Sequence, residues 1–249
     1  MSEHLLRSCA DGVLELRFNR PEKRNAITFA MYRALAAQLE AALADSAVNA
    51  VLLSGAGASF TAGNDLNDFL SGPEVTRTHP VIEVLHRLAT FEKPLVAAVH
   101  GQTVGIGVTM LLHCDLVVAA QGTVLTMPFV ALGLVPEAGS SLLVPRLAGM
   151  QRAAELLLLG SPLDAAGAER LGLVNRVVAE ASLLDEARAL ALRLALQPAG
   201  ALRATKRLLR GDPAELLARI DAEVAEFSAR LKSAEFRTRV AALLGKGRA

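Results

Sequence analysis

The positions of apolar residues divide the chain into short buried strands and amphipathic helices. Val13–Phe18 partly alternates apolar and polar side chains, which predicts a half-buried strand. Leu95–Val99, Leu116–Ala120 and the segment 50–54 are instead continuous apolar runs, and such runs are typical of strands buried on both faces of a parallel sheet. A sheet of this kind needs helices packed on its faces.

The helical pattern first appears after Thr28. Apolar side chains recur every four residues from Met31 to Leu43, and the Thr28 hydroxyl can cap the start of this predicted helix. Asp164 can cap another helix, which ends before Gly172. Further helices are predicted at 65–70, 80–91, 108–114, 151–159, 183–196, 199–209, 213–231 and 234–244, with a polar loop at 72–80.

The order of these elements predicts an α/β fold. A strand, a glycine-rich turn and a helix follow one another at 50–70 and again at 95–114, which favours a parallel sheet with ligand chemistry at the carboxyl ends of its strands. Beyond about residue 180 the composition shifts to Ala, Leu, Arg and Glu. We therefore predict an α/β core at 1–180 and a helical region at 181–249 that covers the core or contacts another subunit.

The amino-acid composition argues against several classes of function. The chain has 249 residues, 52% of them hydrophobic, a formal net charge of +1, one Tyr and no Trp. A nucleic-acid surface would need clustered cations and usually stacking rings, so none is expected. No apolar run approaches the roughly 20 residues of a membrane span. Cys9 and Cys114 are too few for a disulfide framework, and we expect a cytoplasmic protein.

Candidate chemistry is concentrated between residues 94 and 146. Gly101, Gly105 and Gly107 lie in a turn between a strand and a helix, where free backbone N–H groups attract negative charge. Glu137 lies on a glycine- and proline-rich turn soon after. An oxyanion-binding turn beside one carboxylate suggests proton abstraction next to a carbonyl. The alternative is that Glu137 is an acid in the first turn of a helix after Pro136.

Dinucleotide and metal sites are not supported. A G-x-G-x-x-G motif starting at Gly105 would need a small residue at Met110, and one starting at Gly55 would need it at Phe60. His113 beside Cys114 cannot converge on one metal, so a buried or capping role is expected for it. Two acids are expected to be structural, with Asp65 capping a short helix and Asp115 bonding backbone at a helix end.

Several motifs in a fixed order resemble one known family. They are NRPEKRNAIT, SFTAGNDLNDF, PLVAAVHGQTVGIG, CDLVVAA, MPFVALGLVPEAGSSLLVPRLAG and AERLGLVNRVV, and together they extend from about residue 14 to 178. The chain thereby resembles the enoyl-CoA hydratase/isomerase family, also called the crotonase superfamily. The resemblance implies a spiral of repeated ββα units with a C-terminal helical region, a homotrimer or dimer of trimers, and an acyl-CoA thioester as substrate.

The resemblance also implies roles for individual residues. The family's oxyanion hole falls on the backbone N–H groups of Asn64 and Ile106. Hydratases of the family carry glutamates at the positions of Thr109 and Phe129, and neither is an acid here. Glu137 instead matches the catalytic base of the Δ3,Δ2-enoyl-CoA isomerase branch. That branch is therefore favoured, with a place in fatty-acid β-oxidation.

Further residues are expected to bind the substrate by the same resemblance. They are Lys23, Arg24, Ala62, Gly63, Gly105, Phe129 and Leu132. The Lys23 and Arg24 side chains would lie near the CoA phosphates, although a solvated pair of loop charges is an equally good interpretation. No metal or redox cofactor is required, since coenzyme A is part of the substrate. The alternatives are an enoyl-CoA hydratase, another enolate-forming acyl-CoA enzyme, and a non-catalytic acyl-CoA-binding scaffold.

Overall fold

The structure, a computed structural model, describes residues 3–71, 75–76 and 78–246. Its strands are, in chain order, β1 Leu5–Ala10, β2 Val13–Phe18, β3 Ala50–Gly55, β4 Leu95–Val99, β5 Gln102–Val104, β6 Leu116–Ala120, β7 Val124–Thr126, β8 Leu163–Asp164 and β9 Arg176–Val178. Within these residues, six strands form one sheet in the order β1-β2-β3-β4-β6-β9, which is parallel except for the β1–β2 pair. A smaller sheet has the order β5-β7-β8.

Helices occur where the sequence predicts them, and one further helix, Ser140–Ala148, was not predicted. They are α1 Phe29–Ala44, α2 Leu66–Ser71, α3 Pro80–Thr90, α4 Ile106–Thr109, α5 Ser140–Ala148, α6 Met150–Leu158, α7 Ala165–Arg170, α8 Leu183–Ala195, α9 Ala199–Arg210, α10 Ala214–Leu231 and α11 Ala234–Lys246. The predicted helix at 108–114 is shorter than expected, because the 3-10 helix Met110–His113 follows α4. Among the helices that the structure describes, none combines the length and apolar character needed to cross a membrane.

The helix caps predicted at Thr28 and Asp164 are present. The Thr28 hydroxyl accepts a hydrogen bond from the Met31 N–H, and the Asp164 carboxylate accepts one from the Gly167 N–H. The polar loop predicted at 72–80 lies partly outside the described residues, which exclude 72–74 and 77.

The central strands β3 and β4 of the large sheet are buried on both faces. On β3, Leu52 packs with a cluster that includes α8 side chains, while Val51 and Leu53 belong to the larger core shared with α1 and α3. Successive strand side chains point to opposite faces, and every residue of β3 and β4 is buried. This explains why these strands, apart from Ser54 and Gly55 at the end of β3, have continuous apolar sequences rather than alternating ones.

The helical region contributes directly to the core. Ile220, Phe227, Phe236 and Val240 of α10 and α11 are buried in the same cluster as the side chains of α1 and α3. α8, although it lies beyond residue 180, covers one face of the sheet. The division of the chain near residue 180 remains a prediction.

The short strands were not predicted, and β5 shows why. It occupies three residues inside the stretch 101–107, which the glycine pattern assigned to a turn. Three residues, two of them polar, are too few to display a strand periodicity. With β5 recognised, β4, β5 and α4 follow one another as one ββα unit.

Asp115 joins the sheet to α9. Its Oδ2 accepts hydrogen bonds from the Leu95 N–H at 2.7 Å and from Lys206 Nζ at 2.6 Å, and its Oδ1 lies 3.0 Å from an Arg210 guanidinium nitrogen. The structural role expected for Asp115 is therefore confirmed. Lys206 is only 7% exposed, and burial lowers its pKa to about 8 despite the Asp115 charge.

We expect Asp115→Asn to lower the free energy of unfolding by about 3 kcal/mol, because it leaves the buried Lys206 ammonium without its counter-ion. Urea unfolding followed by circular dichroism measures the change. The control is Glu155→Gln, which removes an exposed ion pair with Arg152 and should cost less than about 1 kcal/mol. Equal, small losses for both variants would contradict the proposed importance of the Asp115 cluster.

Candidate active site

The loops that follow β3 and β4 lie against each other at the carboxyl edge of the large sheet. The Phe60 N–H donates to the His100 carbonyl at 2.8 Å, and the Val104 N–H donates to the Thr61 carbonyl at 3.0 Å. Backbone hydrogen bonds therefore fix the position of one loop relative to the other.

Glycines allow the two backbones to come this close. At Gly101, where φ is +58°, an added Cβ would lie 2.0 Å from the Ala58 carbonyl oxygen. At Gly63, where φ is +86°, it would lie 2.7 Å from the Val104 oxygen and 3.9 Å from the Gly105 Cα. Both positions combine a left-handed backbone with a contact that excludes any side chain. Gly101 and Gly105 form the sharp turns expected from the sequence, whereas Gly107 lies within α4.

The Asn64 N–H directly follows Gly63, and the Ile106 N–H directly follows Gly105. The Gly63 carbonyl and the Asp65 N–H both bond to Ile27, so the Asn64 N–H points away from that bridge. Ile106 opens α4, where the first N–H groups of a helix have no partner in a preceding turn. Among the residues that the structure describes, neither N–H donates to a backbone carbonyl. Two donors are thus available on adjacent turns.

The Glu137 carboxyl group is buried against α4. It is 4% exposed, and its Oε1 accepts a hydrogen bond from the Thr109 hydroxyl at 2.5 Å. Thr109 lies three residues after Ile106 in α4. Glu137 Oε2 has no hydrogen-bond partner within the described part of the chain. The alternative that Glu137 belongs to a first helical turn is wrong, because α5 begins at Ser140.

Burial has the largest effect on the pKa of Glu137. It raises the pKa of the carboxyl group to about 8, the Thr109 donor opposes this shift, and the Glu223 charge adds to it. A carboxyl group with this pKa populates both protonation states near neutral pH. Such a group can accept and return a proton.

The backbone after Glu137 is held in a left-handed turn. Ala138 has φ +60°, and its carbonyl accepts a hydrogen bond from His113 Nε2 at 2.8 Å. Burial lowers the pKa of His113 to about 4, so the imidazole is neutral at physiological pH. The buried role expected for His113 is confirmed. Within the described residues, no three His, Cys, Asp or Glu side chains converge as a metal site requires.

Sequence reasoning missed Tyr32. Its phenol donates to Asn64 Oδ1 at 2.5 Å, and burial together with the Glu137 charge raises the pKa of Tyr32 well above its ordinary value. It is the one tyrosine of the chain and lies on the buried side of α1 next to Met31. The sequence pattern around Tyr32 is that of an ordinary core residue. Its being the one tyrosine of the chain was the only signal that could have singled it out.

Asp65 has the structural role predicted for it. Its Oδ1 accepts the Asn67 N–H at the start of α2, and its Oδ2 pairs with the Arg20 guanidinium at 2.6 Å. The ion pair ties the loop that carries Asn64 to the polar turn near the N-terminus.

The predicted substrate-binding residues fall into two groups around these loops. The exposed Lys23 and Arg24 lie on the polar turn, and the Arg24 carbonyl accepts the Ala62 N–H at 2.8 Å, so these cations border the Asn64 loop. Ala62 directly precedes Gly63.

The second group lies near α4. Phe129 is buried, and its ring comes within 3.9 Å of the place where a Cβ on Gly105 would lie. Leu132, in the 3-10 helix Val130–Leu132, is partly buried against the core. The Gly105 turn therefore has an apolar neighbour.

The sequence profile of the enoyl-CoA hydratase/isomerase family matches residues 8–248. The chain belongs to this family. It is thus a member of the crotonase superfamily of acyl-CoA enzymes, and the predicted α/β fold is confirmed.

Relatives within the crotonase superfamily differ in the reactions for which they are named. The chain is 36% identical to 1,2-epoxyphenylacetyl-CoA isomerase of Escherichia coli K12 over 99% of its own length and 97% of that protein. It is 37% identical to enoyl-CoA delta isomerase 2 of Rattus norvegicus over 89% of its length, but spans only 58% of that protein. The structure of OdaA from Pseudomonas aeruginosa superposes with a TM-score of 0.95 at 43% identity, covering 97% of this chain and 99% of the other.

The ionisation of Glu137 should be visible in the stability of this crotonase-family protein. A native pKa of about 8 against 4.5 unfolded means that the native state binds more protons between those pH values. The free energy of unfolding of the wild type, measured relative to Glu137→Gln, should therefore fall by about 1.4 kcal/mol per pH unit across that window. Urea unfolding of both proteins from pH 5 to 8 tests this. A difference that does not change with pH would mean that Glu137 titrates normally.

Proposed function

We propose that the protein is a Δ3,Δ2-enoyl-CoA isomerase in which Glu137 moves one proton between two carbons of the substrate. The observation that supports the proposal is the environment of the Glu137 carboxyl group. One oxygen is held by Thr109, the other has no protein partner in the described chain, and the group is buried beside the turn that presents the Ile106 N–H.

The thioester oxygen would accept hydrogen bonds from the Asn64 and Ile106 N–H groups. Negative charge grows on this oxygen as a proton leaves C2, so the two donors stabilise the dienolate more than the ground state. Each donor of this kind lowers the barrier by roughly 3 to 4 kcal/mol. Side-chain identity at the two positions has little effect, because the donors are backbone groups.

The proton transfers balance with a single base. Ionised Glu137 removes a C2 proton from a 3-enoyl-CoA through Oε2, and the electron pair spreads over the thioester oxygen, C2 and C4. Protonated Glu137 then returns the proton to C4, and the C3–C4 double bond becomes a C2–C3 double bond. Nothing else is consumed or released. A pKa of about 8 keeps both proton transfers within reach at neutral pH.

The residues at the hydratase positions disfavour addition of water. Thr109 and Phe129 stand where hydratases of the family carry glutamates, and neither side chain can act as a base towards water. The Thr109 hydroxyl is engaged by Glu137 Oε1. Among the described residues, Glu137 is then the carboxyl group that contacts Thr109, and a single base suits a proton shuttle better than a reaction that needs a separate base and acid.

A second candidate is isomerisation of an epoxide-bearing aromatic acyl-CoA. It is favoured by the similarity to 1,2-epoxyphenylacetyl-CoA isomerase, which spans 97% of that protein, whereas the match to the delta isomerase spans 58% of its length. The same oxyanion donors would serve such a substrate.

Purified protein offered each substrate separately distinguishes these candidates. Formation of the conjugated 2-enoyl-CoA from a 3-enoyl-CoA supports the proposal, whereas loss of conjugation from a 2-enoyl-CoA indicates a hydratase. Turnover of 1,2-epoxyphenylacetyl-CoA alone supports the second candidate. Tight acyl-CoA binding without any turnover would indicate a non-catalytic scaffold.

Glu137→Gln should reduce kcat for isomerisation by about 10³-fold or more, because the variant keeps the shape of the side chain but cannot take the proton. Binding of a saturated acyl-CoA, measured by calorimetry, should stay within a few-fold of wild type. Glu155→Gln carries the same charge change on the exposed surface of α6 and should retain full activity. Near-normal turnover by Glu137→Gln would reject the assignment of the base.

Thr109→Val should lower kcat by about 10- to 100-fold, the equivalent of losing a hydrogen bond of about 1.5–3 kcal/mol to a charged group. It should also move the pH midpoint of kcat upward, because the Thr109 donor lowers the pKa of Glu137. Thr109→Ser restores the hydroxyl and should recover both values. If Thr109→Val and Thr109→Ser behave alike, the hydrogen bond to Oε1 has no role in turnover.

A further inference from the structure

A second buried carboxylate lies on the other side of the Glu137 turn. Glu223 of α10 is 6% exposed, and its carboxylate accepts hydrogen bonds from the Gly139 N–H at 2.6 Å, the Ser141 N–H at 2.9 Å and the Ser141 hydroxyl at 2.5 Å. These donors are the first groups of α5. Glu223 therefore caps α5 from a distant part of the chain.

The capped residues continue directly from the candidate base. Glu137, Ala138 and Gly139 are consecutive, and both Ala138 and Gly139 have left-handed backbones, with φ of +60° and +72°. A left-handed alanine is unfavourable on its own and persists only where its surroundings hold it. His113 holds the Ala138 carbonyl from the core side, and Glu223 holds the Gly139 N–H from α10.

The two carboxylates also interact electrostatically. Burial raises the pKa of Glu223, the Ser141 and Gly139 donors and the Arg219 charge oppose that shift, and the Glu223 charge in turn raises the pKa of Glu137. The other ionisable groups facing this pair are Tyr32 on α1 and the neutral His113. Arg219 is exposed and donates to the Ser141 hydroxyl at 3.2 Å.

We propose that Glu223 is a positioning residue, supplied by the helical region, that holds the turn carrying Glu137 and repels negative charge on that carboxyl group. The inference rests on the proposed function of Glu137 as the base. It makes docking of α10 a requirement for a competent site. A residue that served only to cap α5 would affect stability without changing the pH at which Glu137 ionises.

Glu223→Gln tests the electrostatic part. Loss of the charge should move the pH midpoint of kcat downward by about one unit, because a neighbouring like charge no longer disfavours ionised Glu137. The plateau kcat should fall several-fold with little change in KM, since the turn loses an acceptor. Glu226→Gln, which removes an exposed charge from the same helix, should change neither value. A folded Glu223→Gln whose midpoint stays or rises overturns the proposal.

A further variant keeps the test decisive if Glu223→Gln does not fold. Glu223→Asp keeps the charge on a shorter side chain and should retain the wild-type midpoint with a reduced plateau kcat. A lowered midpoint in Glu223→Asp counts against the inference.

The ionisation of Glu137 can also be followed without any substrate. Carbon-13 NMR of protein labelled at glutamate side-chain carboxyls, with the Glu137 signal assigned by its loss in Glu137→Gln, reports the titration directly. If the NMR midpoint shifts as expected in these variants while no isomerisation occurs, the electrostatic coupling of Glu223 to Glu137 stands and the proposed function fails. If isomerisation occurs and the NMR midpoint does not move, only the inference fails.

Discussion

The arrangement of the candidate site depends on the contact between two backbone loops. The loops after β3 and β4 are hydrogen-bonded through Phe60 and Thr61, and Gly63 and Gly101 leave no room for a side chain between them. Parallel strands bring both loops to the same edge of the sheet. The N–H groups that follow Gly63 and Gly105 are consequently neighbours, although more than forty residues separate them in sequence.

Glu137 is placed by a different set of contacts. Its carboxyl group is held by Thr109 of α4, and the turn behind it is held by His113 and Glu223. A buried carboxyl group and a left-handed alanine are both unfavourable by themselves. Here they occur at consecutive positions, and hydrogen bonds from other elements hold each of them. Proteins tend to keep such energetically unfavourable features at functional sites.

The sequence was most informative where a physical requirement acts over a few residues. Continuous apolar runs predicted β3, β4 and β6, and the glycine turns and the Glu137 turn followed from local composition. β5 was missed because three residues carry no period. Tyr32 and Glu223 were missed because their partners, Asn64 and Gly139, are 32 and 84 residues away. Thr109 was noticed only as a missing glutamate, since its hydrogen bond to Glu137 depends on the packing of α4.

One contact gives this molecule an unusual spectroscopic property. Tyr32 is the sole tyrosine, and the chain has no tryptophan. The Tyr32 phenol is buried, donates a hydrogen bond to Asn64 and is affected by the Glu137 charge. The ultraviolet absorption at wavelengths longer than those of phenylalanine, and the emission that it excites, therefore originate from one place, beside the proposed oxyanion donors. The folded protein carries a native chromophore that senses charge and hydrogen bonding where the chemistry is expected, with no other phenol or indole to mask it.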